Sequence, residues 1–577
     1  LANRLFLEDL IQEQNDILRA WSSKDLTTDN LNALCVAMID GTADGYKRAM
    51  KAWFGAKGAQ AKVDAGEDLT ALCDEWYAIT RVPWDGGVEF YQPDVTASGV
   101  GTKYGDNAGM VMEPSTDTTA GQDDYAGHPL FAVVDCNAIV DPTTKDVKIT
   151  AIEGITNNFE RYNPSVFVGV LQQNGYTYTE DSAKTYKIGY TSEYKQGKTD
   201  ISAPFGVRFT DNKFRQWTIH TKYMAHKTSD NKLTCCAGVV PTARVFSHNT
   251  LMTYARNIGA GYSATCASDL GFIQFMYFLM TGVLYSDGKL TGCFGWDVRY
   301  PALKAETGAK RVLIAANVTN LPVGCTILIG PRGSGNTYDR YDAQATLSGG
   351  DGRKVTSVEQ VTLDGTTYTA ISFEGDAIDT VAAGADDATT TYVRSWHWTT
   401  GTTDCVLGNT GAYKSCTSGI YPIKIQGIEL ANGAWETLGD SIMKYYQDSE
   451  GNYKFQRYTV ADATKQSTAI TADYKACGVE VDQPASSSWN YIVKMLFALG
   501  MFQPSIITGG GSSTYHKDAH YVLAATTGER EILCVGFLNF SVAHCGVSCS
   551  YCDASLGYTH WNIGGRLSFN GCRGELA

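Results

Sequence analysis

Basic residues are in deficit in this sequence. Lysine and arginine number 47 against 61 aspartates and glutamates, a formal net charge of −14 at pH 7. Nucleic-acid binding rests on a basic footprint that neutralises phosphates, so that function class is excluded. A neutral or cationic cell surface is not excluded, although net charge names no partner. Long hydrophobic runs are also missing. The greasiest, residues 272–285, is too short to span a bilayer and contains Gln274, so no membrane insertion is expected. The opening stretch LANRLFLEDLIQEQNDILRAW is amphipathic and charged, without an unbroken apolar centre, and does not read as a secretory signal. A soluble chain folded in a cytoplasm is expected. Histidine is scarce, nine in all, and none stands in a catalytic signature. Proline is sparse as well, 14 residues against 59 glycines and 33 tyrosines, with charged residues at 19%. That mixture predicts β-rich structure with glycine turns, and a surface whose contacts come from Tyr and Ser rather than from charge.

Sixteen cysteines are present, but they do not form a stapled framework. Cys35 and Cys73 fall in helical patterns, Cys235 and Cys236 are adjacent, and Cys545, Cys549 and Cys552 crowd into one stretch. A chain this long supports its own core and has no need of disulfides, so mostly reduced thiols are expected.

At roughly 100–200 residues per domain, 577 residues suggest three or four domains. Residues 1–85 read as a helical region. Leu5, Leu7, Leu10, Ile11, Ile17 and Leu18 recur near helical spacing, a second periodic stretch covers about 31–54, and a third covers 67–79. Residues 86–127, rich in Gly, Asp and Thr, suit a linker or extended arm. From 128 to 307 the texture is strand-like, as in FAVVDCNAIV, VKITAIEGI, PSVFVGVLQQ and TIHTKYMA. One helix at 269–284 is apolar nearly all round and should be buried. Residues 308–400 read as a compact β unit, and 401–577 as further strands with one helix at 489–499. The overall class expected is α+β.

Several motifs suggest chemistry and are outweighed by plainer readings. CGVSCSYC carries the spacing of a three-thiolate iron–sulfur motif at Cys545, Cys549 and Cys552, but the barrel such enzymes need does not follow it. With His544 or His560 the same thiols supply zinc-ligand types, at a spacing that matches no zinc finger. GPRGSGN at 330–336 lacks the Lys-Ser/Thr of a phosphate loop and reads as a turn, and GGGSS at 509–513 as a flexible loop. No metal and no cofactor is expected.

The C-terminal segment HWNIGGRLSFNGCRG, residues 560–574, resembles the closing segment of diversity-generating retroelement target proteins of bacteriophages. Further pieces agree in order: SHNT at 247–250, the helix at 270–285, VLGNTGAYKSCTSGIYPIKIQGIELANGAWETLGD at 406–440, WNYIVKM at 489–495, and GGGSSTYHKDAHYV at 509–522. The family's Gly-Ile-Glu…Trp-Glu…Asp pattern is matched by Gly427, Ile428, Glu429, Trp435, Glu436 and Asp440. The likeness runs from about residue 205 to 577, is interrupted by 308–400, which is therefore read as an insertion, and leaves 1–125 outside.

The resemblance implies a C-type lectin-like domain that displays a patch diversified by adenine mutagenesis, in a variable region of about 537–562. Lys, Glu, Gln, Met and Trp, which such codons cannot reach, are all absent from 537–560. The implied ligand-binding residues are Phe537, Asn539, Phe540, Ser541, His544, Cys545, Ser548, Ser550, Tyr551, Cys552, Asp553, Ser555, Tyr558, His560 and Asn562. Their chemistry is that of a paratope, with rigid aromatic area and adaptable hydrogen bonds. Gly564 and Gly565 would allow a close backbone approach, Arg566 would pin a buried carboxylate, and Trp435 and Trp561 would anchor the core.

The function implied is a receptor-binding adhesin on the virion, at the tail or a fibre tip, assembled in the host cytoplasm. Its partners would be a protein or glycan receptor on the host bacterium and other virion tail proteins. Related proteins are often trimeric, which points to a homo-oligomer. Two other classes share the frame: an enzyme of the formylglycine-generating type on the same fold, and a structural virion protein with no receptor.

Overall fold

The computed structural model describes residues 27–196, 201–294, 296–333, 341–384, 386, 388–535 and 545–575. Helix makes up 14% and strand 31% across many small sheets, so the class is α+β with strands dominant. One continuous hydrophobic cluster draws on every part of the chain described below.

Four helices open the described chain: Thr28–Ala37, Ala43–Ala56, Ala59–Asp64 and Thr70–Ile79. The expected helix over residues 5–18 lies outside the described residues. The periodic stretch at 31–54 is two helices rather than one, because Gly41 adopts φ 78° and Thr42 restarts the helix by accepting a hydrogen bond from the Gly45 amide. Tyr46, Trp53, Phe54 and Trp76 from these helices pack ring to ring, and Trp76 Nε1 donates to the Tyr46 hydroxyl at 2.9 Å.

Residues 86–127 are not a linker. The strand Asp85–Tyr91 lies inside a four-stranded sheet, between Thr102–Gly105 and Thr185–Thr191, with Tyr176–Asp181 at the far edge. Val88 and Phe90 alternate inward, and Gly87 sits where a Cβ would fall 2.3 Å from the Ile188 carbonyl oxygen. The glycines that suggested a linker serve close strand packing. Buried Asn107 pins the following loop by donating to the Gly87 and Leu279 carbonyls at 3.1 and 2.9 Å. A second antiparallel sheet runs Val147–Ile152, Val133–Val140, Val168–Gln173, Trp217–Thr221, and is mostly buried.

The central helix, Ala267–Thr281, is buried on all sides except at its last residue. Two carboxylates satisfy its first amides. Asp269 accepts from the Cys266 amide at 3.0 Å, and both oxygens of Asp440 accept from the Ala267 amide at 3.0 and 3.1 Å. The helix stops at Gly282, in the left-handed region at φ 72°. Among the described residues no helix is long and apolar enough to cross a membrane.

A six-stranded sheet is built wholly from residues 299–395. Its order is Arg299–Pro301, Thr391–Ser395, Thr326–Pro331, Arg353–Leu363, Thr366–Phe373, Arg311–Ile314. The helix expected at 489–499 is absent. Ser488–Tyr491 is a strand, and Lys494–Ala498 forms a hairpin with Met501–Ile506. Leu499 at φ 43° and Gly500 at φ 79° make the turn. Ile492 and Val493 there are β-branched, which suits extended backbone better than helix.

All sixteen cysteines are free thiols, and only Cys405 and Cys416 escape full burial.

Candidate functional site

The described part of the region expected to be displayed contributes to a six-stranded mixed sheet, in the order Ser488–Tyr491, Ala519–Val522, Ser550–Tyr551, Leu533–Cys534, Trp435–Thr437, Ile563–Gly564. Ser550–Tyr551 runs parallel to Ala519–Val522 and antiparallel to Leu533–Cys534, so it is an interior strand.

Beneath the sheet lies a fixed polar frame. Arg566 is fully buried and grips Glu436 with two hydrogen bonds, Nε to Oε2 at 2.7 Å and Nη2 to Oε1 at 2.6 Å. Its remaining donors reach the Thr221 and Glu429 carbonyls, each at 2.9 Å. Burial disfavours the guanidinium charge, but the adjacent Glu436 carboxylate outweighs it and the arginine pKa is raised. The glycines before Arg566 let neighbouring side chains pack close against the backbone. A Cβ on Gly564 would come 2.9 Å from Met224 Cε, and one on Gly565 would come 2.8 Å from Leu251 Cδ1. Glu429 is also buried and accepts from Thr403 N, Thr403 Oγ1 and Asn432 Nδ2 at 2.8 Å each. Gly427 takes φ 77°, with buried Ile428 after it. Asp440, besides capping the central helix, pairs with Arg573 at 2.9 Å. Trp435 and Trp561 are both only 2% exposed. The guanidinium of buried Arg394, from the 299–395 sheet, lies 4.0 Å over the Trp561 ring and pairs with Asp297 at 3.1 Å.

The fifteen implied contact residues divide into three groups. Phe537, Asn539, Phe540, Ser541 and His544 lie outside the described residues. Cys545, Ser548, Ser550, Cys552 and Asn562 are buried and cannot be surface contacts in this structure, a correction to the expected display. For Ser550 the cause is alternation along the strand, since it points to the core while Tyr551 points away. Ser550 Oγ bonds His520 Nδ1 at 2.6 Å, the Ser548 amide donates to Asp518 Oδ2 at 2.8 Å, and Ser548 Oγ lies 3.3 Å from His516 Nδ1. Asn562 Oδ1 meets His560 Nδ1 at 2.7 Å, and its carbonyl accepts from the Trp435 amide at 2.7 Å. The third group reaches solvent: Tyr551, Asp553 and His560 are half-buried, while Ser555 and Tyr558 are exposed, Tyr558 by 47%.

The floor under these residues is electrostatically quiet. Burial pushes His516 and His520 down to about 3 and Asp518 up to about 8, so near pH 7 the histidines are neutral and the acid protonated. Burial likewise pushes the Cys549 and Cys552 thiols well above their ordinary range, which disfavours thiolates. Among the described residues no three His, Cys, Asp or Glu side chains are grouped to hold a metal ion.

No protein family matches this chain, and no curated protein is significantly similar to it.

Sequence reasoning missed two rings beside Tyr551. Trp489 and Tyr521 sit on the neighbouring strands, with centroid separations of 5.4 Å between Trp489 and Tyr521 and 4.8 Å between Tyr521 and Tyr551. The alternation in SWNY was the available signal, and it was lost to the helical reading. A cleft of about 610 Å³, lined among others by Tyr178, Ser202, Val460, Lys475, Phe497 and Arg573, includes none of the display residues.

Proposed function

We propose that this protein is the receptor-binding adhesin of a bacteriophage, built on a C-type lectin-like scaffold that displays a retroelement-diversified surface. It binds and does not catalyse. The observation that carries this reading is the contrast between display and frame. Tyr551, Asp553, Ser555, Tyr558 and His560 reach solvent from a backbone held by buried groups, chiefly the Arg566–Glu436 pair and the Asp518–Ser548 bond. Such a frame lets contact residues vary without loss of folding, because exposed substitutions usually change stability by less than about 0.5 kcal/mol. Tyrosine, histidine, serine and aspartate suit adaptable recognition. The displayed set is smaller than the resemblance implies, because five of its members are buried.

On this reading the protein sits at the virion tail or a fibre tip as a homo-oligomer, joined to other tail proteins, and contacts a receptor on the host bacterium. The test is genetic and physical together. A near-identical template repeat beside the gene should differ from it at adenines only, confined to codons 537–562, and purified protein should compete with phage adsorption. Differences scattered over the gene, together with no competition, would refute the proposal.

A further inference from the structure

We infer that a small recess behind the cleft, walled by Arg215, Ser268 and Arg573, is a binding site for one small monovalent anion of the size of chloride. None of the display residues lines it, and it stands apart from the adhesin role.

The recess is about 10 Å³, roughly the space that one enclosed water takes. It shares Pro204, Val207 and Arg573 with the cleft, which gives an ion a way in. Arg215 supplies the charge. It is 7% exposed, its guanidinium carbon lies 4.2 Å from the centre of the Trp217 ring, and its Nε donates to the Trp217 carbonyl at 2.9 Å. Both Nη groups are left without an acceptor among the described residues. No carboxylate oxygen of the described residues lies within 4.0 Å of the guanidinium, and Asp74 and Asp146 act on it only from farther off. Burial pushes Arg215 down to about 10, so it is still charged at pH 7. A buried charge without a close partner is costly, and this one calls for a counter-ion. Ser268, second residue of the central helix, is fully buried, and its hydroxyl has no hydrogen-bond partner among the described residues.

Not every group favours an anion. Asp146 also lines the recess, but it is half-buried and accepts from the Phe209 amide at 2.8 Å, so solvent and that bond absorb part of its charge. Arg573 faces both spaces and is already paired with Asp440 at 2.9 Å. Asp269 and Asp440 accept from the first amides of the central helix, so the helix end adds little and the side chains make the site. A water molecule alone would leave the Arg215 charge uncompensated, which favours an anion. Size selects which one. Sulfate and organic acids exceed the space, whereas chloride is only slightly wider than water, and half-buried Arg573 at the outer wall can yield that width. The ion would join Arg215, just before the strand Trp217–Thr221, to Ser268 and Arg573, and so tie distant parts of the chain together.

The full chain would be unfolded thermally in chloride, bromide and gluconate salts at equal ionic strength, gluconate being too large to enter. Chloride and bromide should raise Tm by about 2 °C over gluconate, saturating with concentration as a single site does. Arg215→Gln also removes the contact with the Trp217 ring and lowers Tm in every salt, so the readout is the difference between salts, which should vanish in that variant. Crystals of the unaltered protein grown in bromide should show one anomalous peak in the recess, within hydrogen-bond reach of Arg215. A water there with no anomalous signal would overturn the site, as would a difference between salts that Arg215→Gln leaves intact. Should the variant fail to fold, the bromide crystals decide alone.

Discussion

Replacing Arg566 by alanine strips the Glu436 carboxylate of both its guanidinium bonds and leaves it charged at a site with no solvent exposure. The Thr221 and Glu429 carbonyls lose their Arg566 donors as well. Breaking one side of a buried pair costs about 3–5 kcal/mol, most of it the stranded charge rather than the lost attraction. The double change Arg566→Met with Glu436→Leu removes that charge and should therefore be less destabilising than Arg566→Ala alone. Arg566→Lys should fall between them, since an ammonium cannot reproduce the two parallel bonds. Denaturant unfolding followed by tryptophan fluorescence measures all three. A loss below about 0.5 kcal/mol for Arg566→Ala, the range of an ordinary surface site, would refute the reasoning, as would a double variant less stable than the single one.

Stability should depend on pH around the display floor. Asp518 and Glu531 are both pushed up by burial to about 8, so the folded state holds protons that the unfolded chain releases near pH 4. Their contribution is full below the unfolded pKa and is lost as pH rises through the folded value, by up to about 1.4 kcal/mol per pH unit for each carboxyl. His516 and His520, lowered to about 3, work the other way, their contribution being lost as pH falls below about 6.5. Unfolding free energy should therefore decline between pH 6.5 and 8, with a shallower decline in Asp518→Asn; a rise over that interval contradicts the assignment. Tyr558→Ala should weaken host attachment by about 2 kcal/mol with stability changed by less than about 0.5 kcal/mol. Tyr551→Ala, which also removes ring contacts with Tyr521 and Trp489, should cost about 1 kcal/mol of stability besides. Native protein should react with a thiol reagent first at exposed Cys405, with Cys545, Cys549 and Cys552 reacting only on unfolding. Stoichiometric zinc or iron that disappears when those three become serine would show that they ligate a metal after all.

Features decided by local pattern were legible in the sequence, and features decided by distant pairing were not. The central helix announces itself because nearly every residue from Leu270 to Met280 is apolar and Asp269 stands at its start. Arg566 was legible because two glycines precede it, and an arginine among small residues needs a buried acid. The strand Asp85–Tyr91 was hidden by Gly86 and Gly87, which look like a linker until another strand is laid against them. Ser550 was misplaced for a related reason. A strand of two residues has no readable period, so which side chain faces the core is settled by its neighbours, His520 and Leu533 among them. The Trp489–Tyr521–Tyr551 alignment joins residues far apart in sequence, and only register brings them together.

Arg394 carries a consequence for anyone who would engineer this molecule. It belongs to a strand of the 299–395 sheet, yet its guanidinium lies on the Trp561 ring, beside His560 and next in sequence to Asn562. On the proposed reading the 299–395 sheet is therefore a buttress of the display loop and not a detachable spacer. Excising it would uncover Trp561 and loosen the exit of the variable stretch, so a minimal display scaffold cut at its borders should lose attachment along with the buttress. A graft that replaces the sheet has to bring its own cation to that ring.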